Sequence, residues 1–146
     1  MPERLSDEER AALRERQAEL RRSSKRGAAR KAEEARACEE KIAALPEPDR
    51  TLAERIDRIV RETAPELEPR TWYGMPAYAK DGKVLCFFQP ASKFKARYAT
   101  FGFTDQAQLD EGNLWPTAFA VTAIGPGEEA QLRELLQTAV KGEARP

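Results

Sequence analysis

The stretch 71–88, TWYGMPAYAKDGKVLCFF, constrains the fold of this chain more than any other part of its sequence. Its Asp81-Gly82 pair is a strong signal for a two-residue β-hairpin turn between strands at 77–80 and 84–88. The second strand is apolar on both alternating faces, with Val84, Cys86 and Phe88 on one side and Leu85 and Phe87 on the other. That pattern is typical of a strand at the centre of a sheet that is covered on both faces.

Further strands and two core helices are indicated around this hairpin. The residue pattern predicts strands at 70–73, 97–103 and 115–124 and a short helix at 105–110. Apolar residues at helical spacing predict one core helix that starts with a capping box at Thr51 and another over 128–140. We therefore expect an α+β fold, in which an antiparallel sheet of about five strands packs against N- and C-terminal core helices.

The first 45 residues have a different character from the rest. All eleven aromatic residues lie between Trp72 and Phe119, whereas residues 1–45 are dominated by Ala, Glu, Arg and Lys, which favour helix. Two prolines at 46 and 48 mark a boundary, because proline cannot continue a helix. The sequence thus predicts a charged helical extension at 1–45, in two pieces with the first frayed and the second docked, and an α+β domain at 46–146.

Charge and cysteine content exclude several classes of protein. The chain has 25 basic and 25 acidic residues, so it lacks the basic excess of a nucleic-acid-binding protein. The six cations between Arg21 and Lys31 fit a solvated helix face better than a nucleic-acid contact, since no aromatic residue lies among them. Two unmatched cysteines, no signal sequence and no long apolar run predict a cytoplasmic protein without membrane association.

The usual sequence marks of an enzyme are missing. The chain contains no histidine, which removes histidine-based triads and histidine-ligated metals. It also contains no CxxC pair, phosphate-binding P-loop or GxGxxG turn. Cys86 sits in the middle of an apolar strand, where a thiol is more often part of the core than a nucleophile. An enzyme is therefore the less favoured class of protein, and we expect no catalytic residue and no cofactor.

One group of aromatic and basic residues could bind a ligand. Three cations alternate with other residues at 93–97, so that in an extended strand they would share one face. An anion could bridge them and stack on a nearby aromatic ring. The candidate ligand-binding residues are Tyr73, Met75, Tyr78, Lys93, Lys95, Arg97 and Tyr98. The alternative is a solvated edge strand whose lysines block aggregation.

The YGMPAY motif at 73–78, followed by DGKVLCFF at 81–88, resembles the YdhG-like family of uncharacterised domains. The resemblance covers roughly residues 48–141. Relatives in this family have been described as frataxin-like iron chaperones, and such a role would need carboxylates to hold iron. The candidates that this implies here are Glu54, Asp57 and Glu62, although arginines are interspersed among them.

Three functions remain open on the sequence. The leading hypothesis is a non-enzymatic module that binds a small anionic ligand or a protein partner in a groove between the YGMPAY motif and residues 93–98. The first alternative is a frataxin-like iron chaperone that uses the acidic residues of the helix at 51–63. The second is an interaction module whose N-terminal helix binds a protein partner. Neither nucleic acid nor a membrane is an expected partner.

Overall fold

The computed structural model describes residues 6–23 and 27–141 of the chain. Within these residues the chain forms four α-helices, five β-strands and one short 3₁₀ turn. The helices are α1 (Asp7–Ser23), α2 (Gly27–Ala43), α3 (Asp49–Thr63) and α4 (Pro126–Val140). The strands are β1 (Glu68–Trp72), β2 (Met75–Lys80), β3 (Lys83–Gln89), β4 (Ala99–Phe103) and β5 (Ala118–Val121), and the 3₁₀ turn is Ala91–Lys93.

The five strands form one antiparallel sheet in the order of the sequence, β1-β2-β3-β4-β5. The predicted hairpin at Asp81-Gly82 is confirmed, since Lys80 pairs with Lys83 and both turn residues have a positive φ, 51° and 81°. The expectation that β3 is the central strand is also confirmed. Together with the helices, this sheet makes the predicted α+β fold.

The main core lies between the sheet and the helices α2, α3 and α4. Buried aromatic side chains of β2, β3 and β4 meet the apolar stripes of these helices in a single cluster. Its members include Cys38 and Ile42 of α2, Ile56 and Val60 of α3, Leu132 and Leu136 of α4, and Tyr78, Phe88 and Phe101 of the sheet. The predicted docking of the second N-terminal helix is therefore confirmed. The first helix is docked as well, although its thin apolar spacing did not indicate this.

The other face of the sheet is less covered than the sequence suggested. Phe87 belongs to this face and is only half-buried. An irregularity in the pairing of β2 and β3, between Tyr78 and Ala79, changes the strict alternation of side chains. Leu85 and Cys86 are consequently both buried in the main core, rather than on opposite faces as predicted.

Several predicted boundaries were wrong for local reasons. The helix predicted at 105–110 is a single turn, because the Thr104 hydroxyl accepts from the N–H of Gln106 and Gln108 donates to α4. The strands predicted at 97 and 115 begin only at Ala99 and Ala118. The predicted capping box, in which Thr51 caps the helix, was wrong. The helix α3 starts two residues earlier, at Asp49, and the Glu47 carboxylate accepts hydrogen bonds from the N–H and the hydroxyl of Thr51. No helix in the described part is long and apolar enough to cross a membrane.

Candidate ligand-binding site

The connection between β1 and β2 is a two-residue turn, Tyr73-Gly74, that the sequence analysis did not resolve as a hairpin. Both residues have a positive φ, 52° and 78°, and Trp72 pairs with Met75 across them. This geometry directs two successive amide N–H groups outward in the same direction. Convergent amides of this kind form a concavity suited to an anion.

A carboxylate of α1 fills that concavity. The N–H of Tyr73 donates to Oε1 of Glu19 at 2.8 Å, and the N–H of Gly74 donates to Oε2 at 2.9 Å. Glu19 is only 3% exposed, and Arg16 of the same helix lies 3.5 Å from its Oε1. The guanidinium of Arg16 also stands over the Tyr73 ring, 5.2 Å from its centroid. The first helix is thus attached to the β1–β2 turn by a buried, fully paired carboxylate.

A second carboxylate of α1, Glu15, lies one helical turn earlier and faces two lysines. Its Oε1 accepts from Lys41 of α2 at 2.6 Å and its Oε2 from Lys93 of the 3₁₀ turn at 3.4 Å. Burial alone would raise the pKa of Glu15, but the hydrogen bonds and charges of the two lysines outweigh it and leave the pKa below its ordinary value. Both lysines therefore favour the docked, ionised form of Glu15. A cavity of about 250 Å³ lies here between α1 and α2, with Gly74 in its wall.

A larger, aromatic pocket of about 410 Å³ lies on the less covered face of the sheet. Its lining is mostly aromatic and aliphatic, with a few polar groups at Gln89 and Glu9. The lining residues are Glu9, Ala12 and Leu13 of α1, with Trp72, Tyr73, Met75, Phe87, Gln89 and Phe94. Tyr73 contributes its ring to this aromatic pocket and its amide to the anion concavity, so the two features adjoin.

Contacts between rings determine where the aromatic walls of the pocket stand. The Trp72 ring lies 5.2 Å from the Tyr73 ring and 5.4 Å from the Phe87 ring, measured between centroids. Phe87 lies flat enough on the sheet that a Cβ at Gly102 of β4 would stand 2.4 Å from its Cζ. Only glycine at 102 allows this position of the Phe87 ring, which sets the position of one wall.

Asp49, at the start of α3, positions the opposite wall. This residue is 2% exposed, and its carboxylate accepts from the N–H of Ala91 at 3.1 Å and of Ser92 at 3.0 Å. The Ser92 hydroxyl donates to the same carboxylate at 2.6 Å. These bonds hold the 3₁₀ turn against the core and thereby place Lys93 and Phe94 beside the β1–β2 turn.

The structure brings together only part of the predicted ligand-binding set. Tyr73, Met75 and Lys93 lie around the β1–β2 turn, close to the aromatic pocket. The predicted shared face of the three cations was wrong, because Lys93 ends the 3₁₀ turn and Lys95 has a positive φ of 54°. Lys95 is 81% exposed and pairs with Glu8 at 3.0 Å.

The remaining predicted residues lie elsewhere. Arg97 stacks on the ring of its neighbour Tyr98, 5.1 Å from the centroid, on the surface. Tyr78 is 1% exposed in the main core, and its hydroxyl donates to Oδ1 of Asp57 at 2.7 Å. Burial first, and then the neighbouring Cys38 and Asp57, raise the pKa of Tyr78 well above its ordinary range. Tyr78 is thus part of the main core and does not line the aromatic pocket.

Sequence reasoning missed the residues that matter most at this site: Glu15, Glu19, Asp49, Trp72, Phe87 and Phe94. The carboxylates carry no distinguishing signal, because their partners are backbone amides or lysines that are remote in the sequence. The aromatic residues could have been found, since Trp72 flanks the β1–β2 turn and Phe87 faces away from the main core in the strand alternation. A ring on that less covered face is a natural pocket wall.

The acidic residues named for the iron alternative are engaged by arginines instead. Glu54 lies 3.7 Å from Arg50, Asp57 pairs with Arg61 at 2.8 Å, and Glu62 pairs with Arg133 at 2.7 Å. Within residues 6–23 and 27–141, no three carboxylates or cysteines are placed to hold a metal ion together. Burial raises the pKa of the Cys38 thiol to about 12 and that of Cys86 further still, so neither is a ready nucleophile.

Comparison with known proteins adds no relative: no protein-family model, curated protein or solved structure matches the chain. The resemblance to the YdhG-like family therefore stays a prediction from the 73–88 motif, and the function has to be argued from the site itself.

Proposed function

We propose that this protein is a non-enzymatic binding module that takes a small, flat ligand in the aromatic pocket. The observation that carries the proposal is the pocket lining, in which the rings of Trp72, Phe87 and Phe94 line an open cavity of about 410 Å³. Cavities of roughly 300 to 1,000 Å³ with apolar walls and a few polar groups are typical of small-molecule sites. A planar ring can stack on such walls in an offset or edge-on arrangement.

The polar groups at the rim support this reading. Gln89 offers an amide that can donate and accept, and it lies on the same strand as Phe87. Lys93 is 14% exposed, and its Nζ stands 5.6 Å from the Phe94 ring centroid. A ligand in the pocket therefore meets the polar side chains of Gln89 and Glu9 as well as the rings, while Lys93 stands behind Phe94 and pairs with Glu15. Such an arrangement orients a flat molecule with a polar substituent.

The pocket walls are held by contacts that do not involve a ligand. Asp49 fixes the 3₁₀ turn, and the β1–β2 turn is closed by the pairing of Trp72 with Met75. A site whose walls are already ordered loses little conformational entropy when a ligand binds. This favours a binding function for the cavity over a chance gap in packing.

Benzamide, a flat neutral probe, tests the proposal by titration with detection by amide chemical shifts in NMR. Phe94→Ala removes one wall of the pocket, and Tyr98→Ala removes an aromatic side chain from the exposed surface nearby. We expect Phe94→Ala to weaken benzamide binding about tenfold, which corresponds to about 1.4 kcal/mol, and Tyr98→Ala to leave it unchanged. Shifts that map to residues outside the pocket, or equal losses in both variants, would contradict the proposal.

A further inference from the structure

We infer that the β1–β2 turn is a carboxylate-binding site, that Glu19 of α1 occupies it as an internal ligand, and that an aromatic carboxylate competes with α1 for it. This inference rests on the proposed function, because the aromatic part of the competing ligand would lie in the aromatic pocket. The turn amides show what the site binds: both oxygens of one carboxylate are held at 2.8 and 2.9 Å by successive N–H groups. Bonds of this kind between a charged acceptor and backbone donors are among the stronger hydrogen bonds in proteins.

The attachment of α1 depends on polar contacts more than on apolar burial. Among the described side chains of α1, Ala12 and Glu19 are the buried ones, while Leu13 and Leu20 are 45% and 53% exposed. Burying one alanine contributes little hydrophobic stabilisation compared with the apolar stripes of α3 or α4. The helix is held by polar contacts, those of Glu15 and Glu19 and a hydrogen bond from Arg22 to the Thr71 hydroxyl at 2.8 Å, and the carboxylate of another molecule can replace that of Glu19 at the turn.

Apart from Arg16, which belongs to α1 itself, the groups that face Glu15 and Glu19 remain on the domain when α1 leaves. The amides of Tyr73 and Gly74 belong to the sheet, Lys93 to the 3₁₀ turn and Lys41 to α2. Release of α1 takes away both acidic side chains and leaves two amide donors and two lysines without their anionic partners. The opened site therefore has a positive electrostatic potential that favours a carboxylate.

The aromatic pocket and the anion concavity adjoin, and this selects the chemical class of ligand. Tyr73 belongs to both features, since its ring lines the pocket while its N–H faces Glu19. A molecule with a ring and a carboxylate on the same short frame can reach both at once. Three residues of α1, Glu9, Ala12 and Leu13, also line the pocket. The rings of Trp72, Phe87 and Phe94 belong to the domain, so the ring subsite is present while α1 is docked, and displacement of Glu19 adds the carboxylate subsite to it.

The decisive experiment compares benzoate with benzamide, which has the same ring but no charge. Both are titrated into the full-length wild-type protein, Glu19→Ala and the control Glu8→Ala, and dissociation constants are taken from amide shifts. Glu8 lies on the same helix and pairs with Lys95, away from the β1–β2 turn. When an internal competitor fills a site, only the molecules in which the site is open can bind a ligand. The apparent dissociation constant is then the intrinsic dissociation constant divided by the fraction of open molecules.

We expect Glu19→Ala to bind benzoate at least about tenfold more tightly than the wild type, with benzamide changing less than about twofold. Glu8→Ala should match the wild type for both probes. In Glu19→Ala, benzoate should also shift the amide resonances of Tyr73 and Gly74 back towards their wild-type positions. If Glu19→Ala does not fold, Glu19→Gln replaces it, and benzoate should again gain over benzamide, by a smaller factor.

Three results separate the possible failures. Equal benzoate affinity in the wild type and the Glu19 variant would overturn the inference while leaving the proposed function intact. Equal gains for benzoate and benzamide would also overturn it, since they would show only a wider apolar pocket. No binding of either probe to any variant would overturn the proposed function, and the inference with it.

Discussion

Two glycine substitutions form a matched pair that tests how α1 is docked. Gly74 and Gly82 both occupy the second position of a two-residue hairpin turn, with φ of 78° and 81°. Alanine in that left-handed region costs about 1–2 kcal/mol at either position. A Cβ at Gly82 meets nothing within 4 Å, whereas one at Gly74 would lie 1.4 Å from Oε2 of Glu15 and 2.6 Å from Nζ of Lys93.

The extra cost of Gly74→Ala is the cost of moving Glu15 away from its lysines. Glu15 and Lys41 are about one-third exposed and Lys93 is 14% exposed, so the loss of these ion pairs is worth about 0.5–1 kcal/mol after solvent screening. We therefore expect Gly82→Ala to lower the free energy of unfolding by about 1–2 kcal/mol and Gly74→Ala to lower it by about 1 kcal/mol more. For a chain of this length the difference corresponds to about 2–4 °C in Tm.

Urea denaturation followed by far-UV circular dichroism measures both free energies, and Trp72 emission, recorded in a Trp115→Phe background because the chain has two tryptophans, reports the local environment of the turn. We expect the emission to change in the folded state of Gly74→Ala but not of Gly82→Ala. Equal destabilisation by the two substitutions, with unchanged Trp72 emission, would refute the reasoning. It would mean that Glu15 does not lie over the β1–β2 turn in solution.

Three further substitutions or conditions give distinct expectations. Asp49→Asn should lower stability by about 2–4 kcal/mol, since it disturbs three bonds to a buried charge, and should weaken benzamide binding; unchanged binding would contradict the role of Asp49 in placing the 3₁₀ turn. Because docking lowers the pKa of Glu15, the contribution of Glu15 to the docking of α1 should be fully present above pH about 4.5 and lost as pH falls through the lowered value. In Glu15→Gln, acidification should loosen α1 less than it does in the wild type, and the pH dependence of the Gly74 amide resonance measures this. An identical pH profile in the variant and the wild type would contradict the expectation. Tyr78→Phe should lower the free energy of unfolding in urea denaturation by about 1–2 kcal/mol, because one hydrogen bond to Asp57 is lost while Asp57 keeps its partner Arg61. Benzamide binding should not change, since Tyr78 does not line the aromatic pocket.

The parts of the fold that were predictable are those in which local sequence determines local structure. The hairpin at Asp81-Gly82 followed from its turn chemistry, and the core helices followed from apolar residues at helical spacing. The β1–β2 hairpin was missed because its first turn residue is Tyr73, and a tyrosine rarely adopts a positive φ. Here Glu19 binds the turn amides and so stabilises a conformation that the local sequence does not favour.

The candidate site was harder to predict because its polar contacts join distant parts of the chain. Glu19 bonds to amides 54 and 55 residues away, and Asp49 to amides 42 and 43 residues away. A carboxylate on a charged helix looks the same in sequence whether it faces solvent or a turn. The cations at 93–97 were misplaced for the opposite reason: alternation implies a shared face only in an extended strand, and Lys95 is not extended.

In the proposed binding function, Gly102 influences the size of the ligand without lining the aromatic pocket. It lies beneath the Phe87 ring, outside the pocket lining, and a methyl group there would push the ring towards the cavity. The contact is with the far end of the Phe87 side chain, so a substitution there is expected to displace this ring and to change the volume of the aromatic pocket. A single position on β4 thus determines where one wall of the aromatic pocket stands, although no residue of β4 lines the pocket. Homologous chains with a larger residue at this position would be expected to accept only smaller ligands, even with every lining residue unchanged.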